Sequence, residues 1–142
     1  MQVAQIAKCA GKEIMKIYAT DFAVGSKDDQ SPVTAADKIA EDVIITALIN
    51  NMDSKFPLVS EEAASEVQPP PVDHNPFWLI DPLDGTKEFV NRNGEFTVNI
   101  ALIEEFSPLL GVVYIPAQNT TYVGFPAGAY RIKDDLPPEN IS

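Results

Sequence analysis

The sequence predicts an α+β fold in which two helices pack on one face of a mainly antiparallel sheet. Two segments with helical spacing of their apolar residues come first, and a strand-rich run divided by glycines and prolines follows. Helices and strands that are segregated along the chain in this way are typical of an α+β layer. The length of 142 residues suits one domain of ordinary size, and a hydrophobic content of 45% is enough for a packed core.

The first two segments predict amphipathic helices. The first runs to about Tyr18, and its pattern breaks near Thr20–Gly25. In the second, Thr34 and Asp37 have the spacing of a capping box with Thr34 as the N-cap, and Asn50–Asn51 are expected to end the helix. The apolar faces predicted for the two helices are Val3, Ile6, Ala7, Ala10, Ile14, Ile17 and Tyr18, and Ile39, Ala40, Val43, Ile44, Ala47 and Leu48.

The strands are expected after the helices, each bounded by turn residues. A proline-rich connector over Val67–Pro76 contains the single histidine, His74, which we expect to be exposed and without a chemical role. Residues 1–132 are predicted to form one domain, and residues 133–142 a polar tail or linker. The predicted strands are Leu58–Ser60, Phe77–Ile80, Phe96–Ile103, Leu110–Ile115, Thr121–Phe125 and Ala129–Ile132.

The acidic charge narrows the classes of partner. Ten Lys and Arg against 21 Asp and Glu give a net charge of −11. A nucleic-acid polymer is therefore not expected as a partner, because it attracts basic proteins. The apolar runs fall short of the ~18 residues that a membrane span needs, and Met1–Ala10 lacks the apolar core of a signal peptide. The single Cys9 excludes an internal disulfide. Together, these features lead us to expect a cytoplasmic location.

The most informative stretch is Asp81–Thr86, with the sequence DPLDGT. A run of β-forming residues ends there in two carboxylates, Asp81 and Asp84. The intervening proline restricts the backbone and Gly85 permits a turn, so the chain should leave the strand and enter a short helix that Asp84 caps. Such a turn can point both carboxylates at one spot and present the N–H groups of Gly85 and Thr86 to it.

Two carboxylates beside exposed N–H donors suit a hard cation that also holds a phosphate. Mg²⁺ is usually bound in this way, by one or two carboxylates, waters and phosphate oxygens. Asp-Pro and Asp-Gly pairs are also common in ordinary turns, so the spacing alone leaves both interpretations open. An EF-hand is excluded, because the alternating acids and the terminal Glu of its loop are absent.

Three motifs together resemble the inositol monophosphatase superfamily of Mg²⁺-dependent, lithium-sensitive phosphatases. They are Pro32–Asp37 (PVTAAD), Ser60–Glu62 (SEE) and Trp78–Thr86 (WLIDPLDGT), in the family's order and roughly its spacing. The continuation KEF and RNGEF over 87–96 is similar to the bacterial 3′(2′),5′-bisphosphate nucleotidase branch. The resemblance implies the N-terminal domain of the family's αβαβα fold. It also implies removal of the 3′-phosphate of adenosine 3′,5′-bisphosphate, a by-product of sulfate assimilation, to give AMP.

The resemblance also implies a set of metal ligands. Glu61, Asp81 and the backbone carbonyl of Leu83 would hold one Mg²⁺, and Asp81 and Asp84 would hold a second, with Asp81 bridging. Two cations about 3.5–4 Å apart can polarise a phosphoryl group, stabilise the leaving alkoxide and prepare a water nucleophile. No His or Cys nucleophile is then needed.

Catalytic and substrate roles follow from the same match. Asp37 and Thr86 would pair and orient the attacking water, and Glu61 would also help to hold it. Backbone N–H groups over 83–86 would bind the phosphate oxygens. The residues expected at the bound substrate are Glu61, Leu83, Asp84, Gly85 and Thr86.

The resemblance runs from the first helix to about Arg131, whereas chains of this family are normally much longer. We therefore expect an N-terminal fragment that lacks the C-terminal domain and its further ligand for the second metal. The alternatives are an inositol-1-monophosphatase or other sugar phosphatase, and a non-catalytic fragment that only binds metal. A homodimer and a peripheral position on the inner face of the cell membrane are both compatible with the resemblance.

Overall fold

The computed structural model describes residues 2–20, 31–51, 56–60 and 75–142. The helices are α1 (Gln2–Tyr18), α2 (Ser31–Asn51) and α3 (Thr86–Val90), with a short 3₁₀ turn at Pro116–Gln118. The strands are β1 (Leu58–Ser60), β2 (Phe77–Asp84), β3 (Thr97–Glu104), β4 (Ser107–Ile115), β5 (Thr120–Phe125), β6 (Gly128–Lys133) and β7 (Glu139–Asn140). None of the described helices is long and apolar enough to cross a membrane.

The strands form one sheet in chain order, β1 to β7. β1 and β2 run parallel, with Ser60 beside Ile80, and all the other neighbours are antiparallel. Antiparallel neighbours need only short turns, whereas the parallel pair is separated by the longer connection over 61–76. The mainly antiparallel sheet with two helices packed on it confirms the predicted fold class.

The helices pack against each other and cover one face of the sheet. α1 lies on β3 and β4, and α2 lies on β2. α1 approaches the sheet most closely at Gly11, where an added Cβ would lie 2.4 Å from Cε2 of Tyr114. The predicted apolar face of α1 is confirmed at its fully buried positions, Val3, Ile6, Ala7, Ala10 and Ile14.

α2 differs from its prediction at both its start and its buried face. The helix begins at Ser31, so Thr34 lies inside its first turn, exposed, and the predicted N-cap is wrong. Pro32 does not prevent this start, because first-turn N–H groups have no acceptor within the helix. Ile39 belongs to the predicted apolar face, but it is 36% exposed. The buried stripe instead runs through Val33, Ala36, Ala40, Ile44 and Leu48, and it also includes Asp37.

The strands extend further than the apolar runs that predicted them. β4 begins at Ser107, three residues earlier than expected, after a tight turn in which Glu105 and Phe106 have φ of 51° and 64°. In the predicted polar tail, Glu139–Asn140 pair with β6 as β7. Hydrogen bonding between neighbouring backbones therefore sets the strand ends, and it includes polar residues that periodicity omits.

Candidate active site

Asp81 and Asp84 lie at the C-terminal end of β2, on the two sides of a β-bulge. Asp81 is opposite Asn99 and Asp84 is opposite Thr97, so three steps along β2 match two steps along β3. Residues three apart in a regular strand point to opposite faces, and one extra residue returns them to the same face. The consecutive burial of Pro82 and Leu83 marks this break in alternation. The bulge is therefore what places both carboxylates on one face of the sheet.

Two local predictions for this stretch are wrong. β2 does not end before the carboxylates but continues to Asp84, because the bulge accommodates the proline that a regular central strand would exclude. Asp84 does not cap α3. The N-cap is Gly85, which has φ of 95° and makes no side-chain cap. A Cβ at Gly85 would lie 3.2 Å from the Cα of Phe96, so this position requires glycine for both its backbone angle and its space.

A polar ladder on β3 supports Asp84. The side-chain amide of Asn99 donates from Nδ2 to Oδ2 of Asp84 over 3.1 Å. The hydroxyl of Thr97 donates to Oδ1 of Asn99 over 2.9 Å. Neither Asn99 nor Thr97 is among the site residues that the sequence predicts. The signal that could have found them is an amide at Asn99 between Val98 and Ile100, in an otherwise apolar strand centre.

Asp37 and Thr86 are carried by elements that touch. Asp37 is 6% exposed on the inner stripe of α2, and α2 packs on β2 and α3. Thr86 is the first residue of α3 and is exposed. The structure thus brings their elements together next to Asp84, and the expected contact between the Asp37 carboxylate and the Thr86 hydroxyl stays a prediction.

Glu61 lies outside the described residues, as does His74, so the predictions for both stay open. The strand end that precedes Glu61 is described. Ser60 is buried next to Ile80, and its hydroxyl donates to Oε2 of Glu41 on α2 over 2.9 Å. α2 therefore holds the end of β1 alongside the strand that carries the two aspartates, through a contact that the sequence pattern does not predict.

The available donors suit a hard cation. The carboxylates of Asp81 and Asp84 and the carbonyl of Leu83 are all oxygen ligands, the type that Mg²⁺ prefers. Within the described parts of the chain, no group of three or more His, Cys, Asp or Glu side chains is placed to hold a metal ion. The ligand type of these residues thus fits Mg²⁺, and the described residues supply two carboxylates, Asp81 and Asp84, on one face of the sheet.

A groove lies on the open face of the sheet beside the carboxylates. Its volume is about 480 Å³, and Asp81 and Asn99 form its polar end. Leu79 and Val113 in its floor are exposed, at 41% and 37%. The groove therefore offers an apolar surface, large enough for a small molecule, directly next to the Asp81 carboxylate.

Comparison with known proteins places this site in a family context. A sequence model described as the inositol monophosphatase family matches residues 2–137. The 3′(2′),5′-bisphosphate nucleotidase CysQ of Escherichia coli O157:H7 is 47% identical over an alignment that covers 96% of this chain and 60% of that protein. The chain therefore spans about 60% of the length of this relative.

Solved structures show the same fold. The crystal structure of CysQ from Bacteroides thetaiotaomicron, described as a bacterial member of the inositol monophosphatase family, superposes with a TM-score of 0.74 and 36% identity. The match covers 99% of this chain and 52% of that one. Inositol monophosphatase II from Staphylococcus aureus MSSA476 also gives a TM-score of 0.74, at 26% identity, with the same shares of the two chains covered.

Proposed function

Because the chain belongs to the inositol monophosphatase family, we propose that it carries the metal- and phosphate-binding residues of a 3′(2′),5′-bisphosphate nucleotidase. The reaction is hydrolysis of the 3′-phosphate of adenosine 3′,5′-bisphosphate, which gives AMP and inorganic phosphate. The observation that carries this proposal is the bulge that turns Asp81 and Asp84 to one face. Among the solved structures, the identity is 36% to a CysQ and 26% to an inositol monophosphatase. This difference and the 47% identity to a 3′(2′),5′-bisphosphate nucleotidase support the proposed substrate.

The proposed cofactor is Mg²⁺. Glu61, Asp81 and the carbonyl of Leu83 would hold one ion, and Asp81 and Asp84 a second, as the family resemblance implies. When bound, Mg²⁺ supplies polarisation of the phosphoryl group and lowers the pKa of water. The oxygen-only donor set of β2 supports this choice of ion.

The remaining roles belong to side chains and backbone around α3. Asp37 and Thr86 would pair and orient the attacking water, and Glu61 would help to hold it. Burial of Asp37 on α2 supports a fixed position for its carboxylate. The backbone over 83–86 would bind the phosphate, in a turn that the positive φ of Gly85 makes possible.

The proposal has two levels, because the chain spans about 60% of the relatives' length. We propose phosphate release for the protein expressed from the complete reading frame. For the 142-residue chain alone we propose metal binding with little or no turnover, since the further ligand of the second metal is expected from the family's C-terminal half. A cytoplasmic location, expected from the sequence composition, and a homodimer, expected from the resemblance, both remain predictions.

The test compares substrates and metal binding. Phosphate release from adenosine 3′,5′-bisphosphate and from inositol 1-phosphate is measured with Mg²⁺ for the complete product. Faster release from the nucleotide is expected, and faster release from the inositol ester would transfer the protein to the inositol phosphatase branch. Mn²⁺ binding without release from either ester would instead indicate a non-catalytic metal-binding domain.

A further inference from the structure

We propose that Asn99 is a positioning residue for the Asp84 carboxylate, which it orients toward the metal through Asp84 Oδ2. This inference rests on the proposed function, in which Asp84 is a metal ligand. Its geometric basis is the 3.1 Å hydrogen bond from Asn99 Nδ2 to that oxygen.

The orientation of the amide is determined by its two neighbours. An ionised carboxylate only accepts hydrogen bonds, so Asp84 requires the Nδ2 end of Asn99. The Oδ1 end then faces Thr97, whose hydroxyl lies 2.9 Å away and donates to it. Thr97 and Asp84 thus select the same orientation of the amide.

The strand gives Asn99 a more rigid base than Asp84 has itself. Asn99 lies in the middle of the sheet, and its neighbours Val98 and Ile100 are buried under the helices on the other face. Asp84 is exposed and lies beyond the bulge, where the regular pairing with β3 is interrupted. A hydrogen bond from the rigid strand therefore restricts the rotamers of a carboxylate that the backbone holds less firmly.

The chemical type of Asn99 also suits this role. A Lys or Arg at this position would pair with Asp84 and compete with a cation for it, whereas a neutral amide orients the carboxylate and leaves its charge for the metal. With one oxygen engaged by Asn99, the other is favoured for coordination. Hydrogen bonds to metal ligands from this second layer typically change metal affinity by about 10–100-fold.

The test measures Mn²⁺ binding to the 142-residue chain without substrate. Binding is detected by electron paramagnetic resonance. Asn99→Leu keeps the side-chain size and removes the donor, and its Kd for Mn²⁺ should rise about 10-fold or more. Thr97→Val, which removes only the hydroxyl that orients the amide, should raise the Kd by a smaller factor. Asn50→Leu is the matched control at an exposed position of α2 and should leave the Kd unchanged.

A double-mutant cycle separates positioning from general structural damage. In an Asp84→Asn background, Asn99→Leu should cause no further loss of Mn²⁺ affinity, because the carboxylate that it orients is gone. An unchanged Kd in Asn99→Leu, or an equal loss in both backgrounds, would overturn the inference while the proposed function stands. Failure of the unsubstituted chain to bind Mn²⁺ would reject the proposed metal site, and this inference with it.

Discussion

Arg92 donates a hydrogen bond from Nη1 to the backbone carbonyl of Tyr18 over 2.9 Å, although the two residues are 74 positions apart. Nη2 of the same guanidinium donates to the carbonyl of Thr20, and the guanidinium carbon lies 5.6 Å from the centre of the Tyr18 ring. One side chain thus caps the C-terminal end of α1 from the loop after α3. The contact joins the segment after α3, which follows DPLDGT, to the first helix of the fold.

Replacement of Arg92 should destabilise the protein. Arg92→Ala removes charged donors from two carbonyls of α1. The part-buried bond to Tyr18 is the larger contribution, at about 1.5–3 kcal/mol, because the bond to Thr20 is exposed to solvent. We expect the free energy of unfolding to fall by about 2–3 kcal/mol. Unfolding can be monitored by the fluorescence of Trp78, which is 3% exposed in the folded state. Lys87→Ala, at an exposed cation on α3, should change stability by less than about 0.5 kcal/mol. Equal effects of the two substitutions would contradict the role given to Arg92.

Gly11 should not tolerate a side chain. Alanine normally stabilises a helix relative to glycine by up to about 1 kcal/mol, but here its Cβ would lie 2.4 Å from the Tyr114 ring. We expect the cost of overpacking to exceed this gain. Gly11→Ala should therefore lower the free energy of unfolding by about 1–3 kcal/mol, as measured by denaturant titration. Gly124→Ala is the control, because nothing lies within 4 Å of its added Cβ. A stabilising effect of Gly11→Ala would show that α1 can move away from β4 at little cost.

Asp81→Asn should abolish the phosphatase activity of the complete product. The substitution keeps the shape of the side chain but removes the charge of the proposed bridging ligand, and we expect a loss of at least about 100-fold in phosphate release. Mn²⁺ affinity should fall in parallel, while the folded structure is retained. Asp42→Asn, at an exposed acid of α2, serves as the charge-matched control and should keep full activity. Substantial activity in Asp81→Asn would reject its bridging role.

The stability of the protein should decline at high pH through Tyr114. Burial raises the pKa of the Tyr114 phenol above its ordinary value of about 10. The folded state therefore holds this proton at a pH where the unfolded state releases it, so the free energy of unfolding falls as the pH rises above about 10. Below that pH the contribution is fully present.

Spectroscopic titration tests this assignment. Ultraviolet titration of Tyr114→Phe should lack a phenolate step above pH 10 that Tyr122→Phe retains. Tyr114→Phe also loses the 3.0 Å hydrogen bond from the phenol to Oδ1 of Asn119. This loss should lower the free energy of unfolding by about 1 kcal/mol near neutral pH. Retention of the late step in Tyr114→Phe would assign it to another tyrosine.

Much of the fold could be predicted from local sequence patterns. The buried face of α1 and the existence of the main strands follow from spacing, because solvent exposure alternates with the period of each element. The two acids of DPLDGT stand out in the sequence because the motif is contiguous, and their role as metal ligands stays a prediction. The N-cap at Thr34 could not be placed correctly, because Pro32 is as compatible with the first turn as with the loop.

The sequence by itself determined the main element types, the apolar face of α1 and the carboxylates available for chemistry, because these depend on neighbours along the chain. Only the tertiary structure decided which side chains meet. The bulge opposite Thr97 and Asn99 sets the common face of Asp81 and Asp84, and it depends on the register between two strands. The hydrogen bond from Arg92 to the carbonyl of Tyr18 likewise depends on the packing of distant segments. A bulge and a contact between distant segments depend on which backbone and side chains meet, and the periodicity of one segment alone does not specify that.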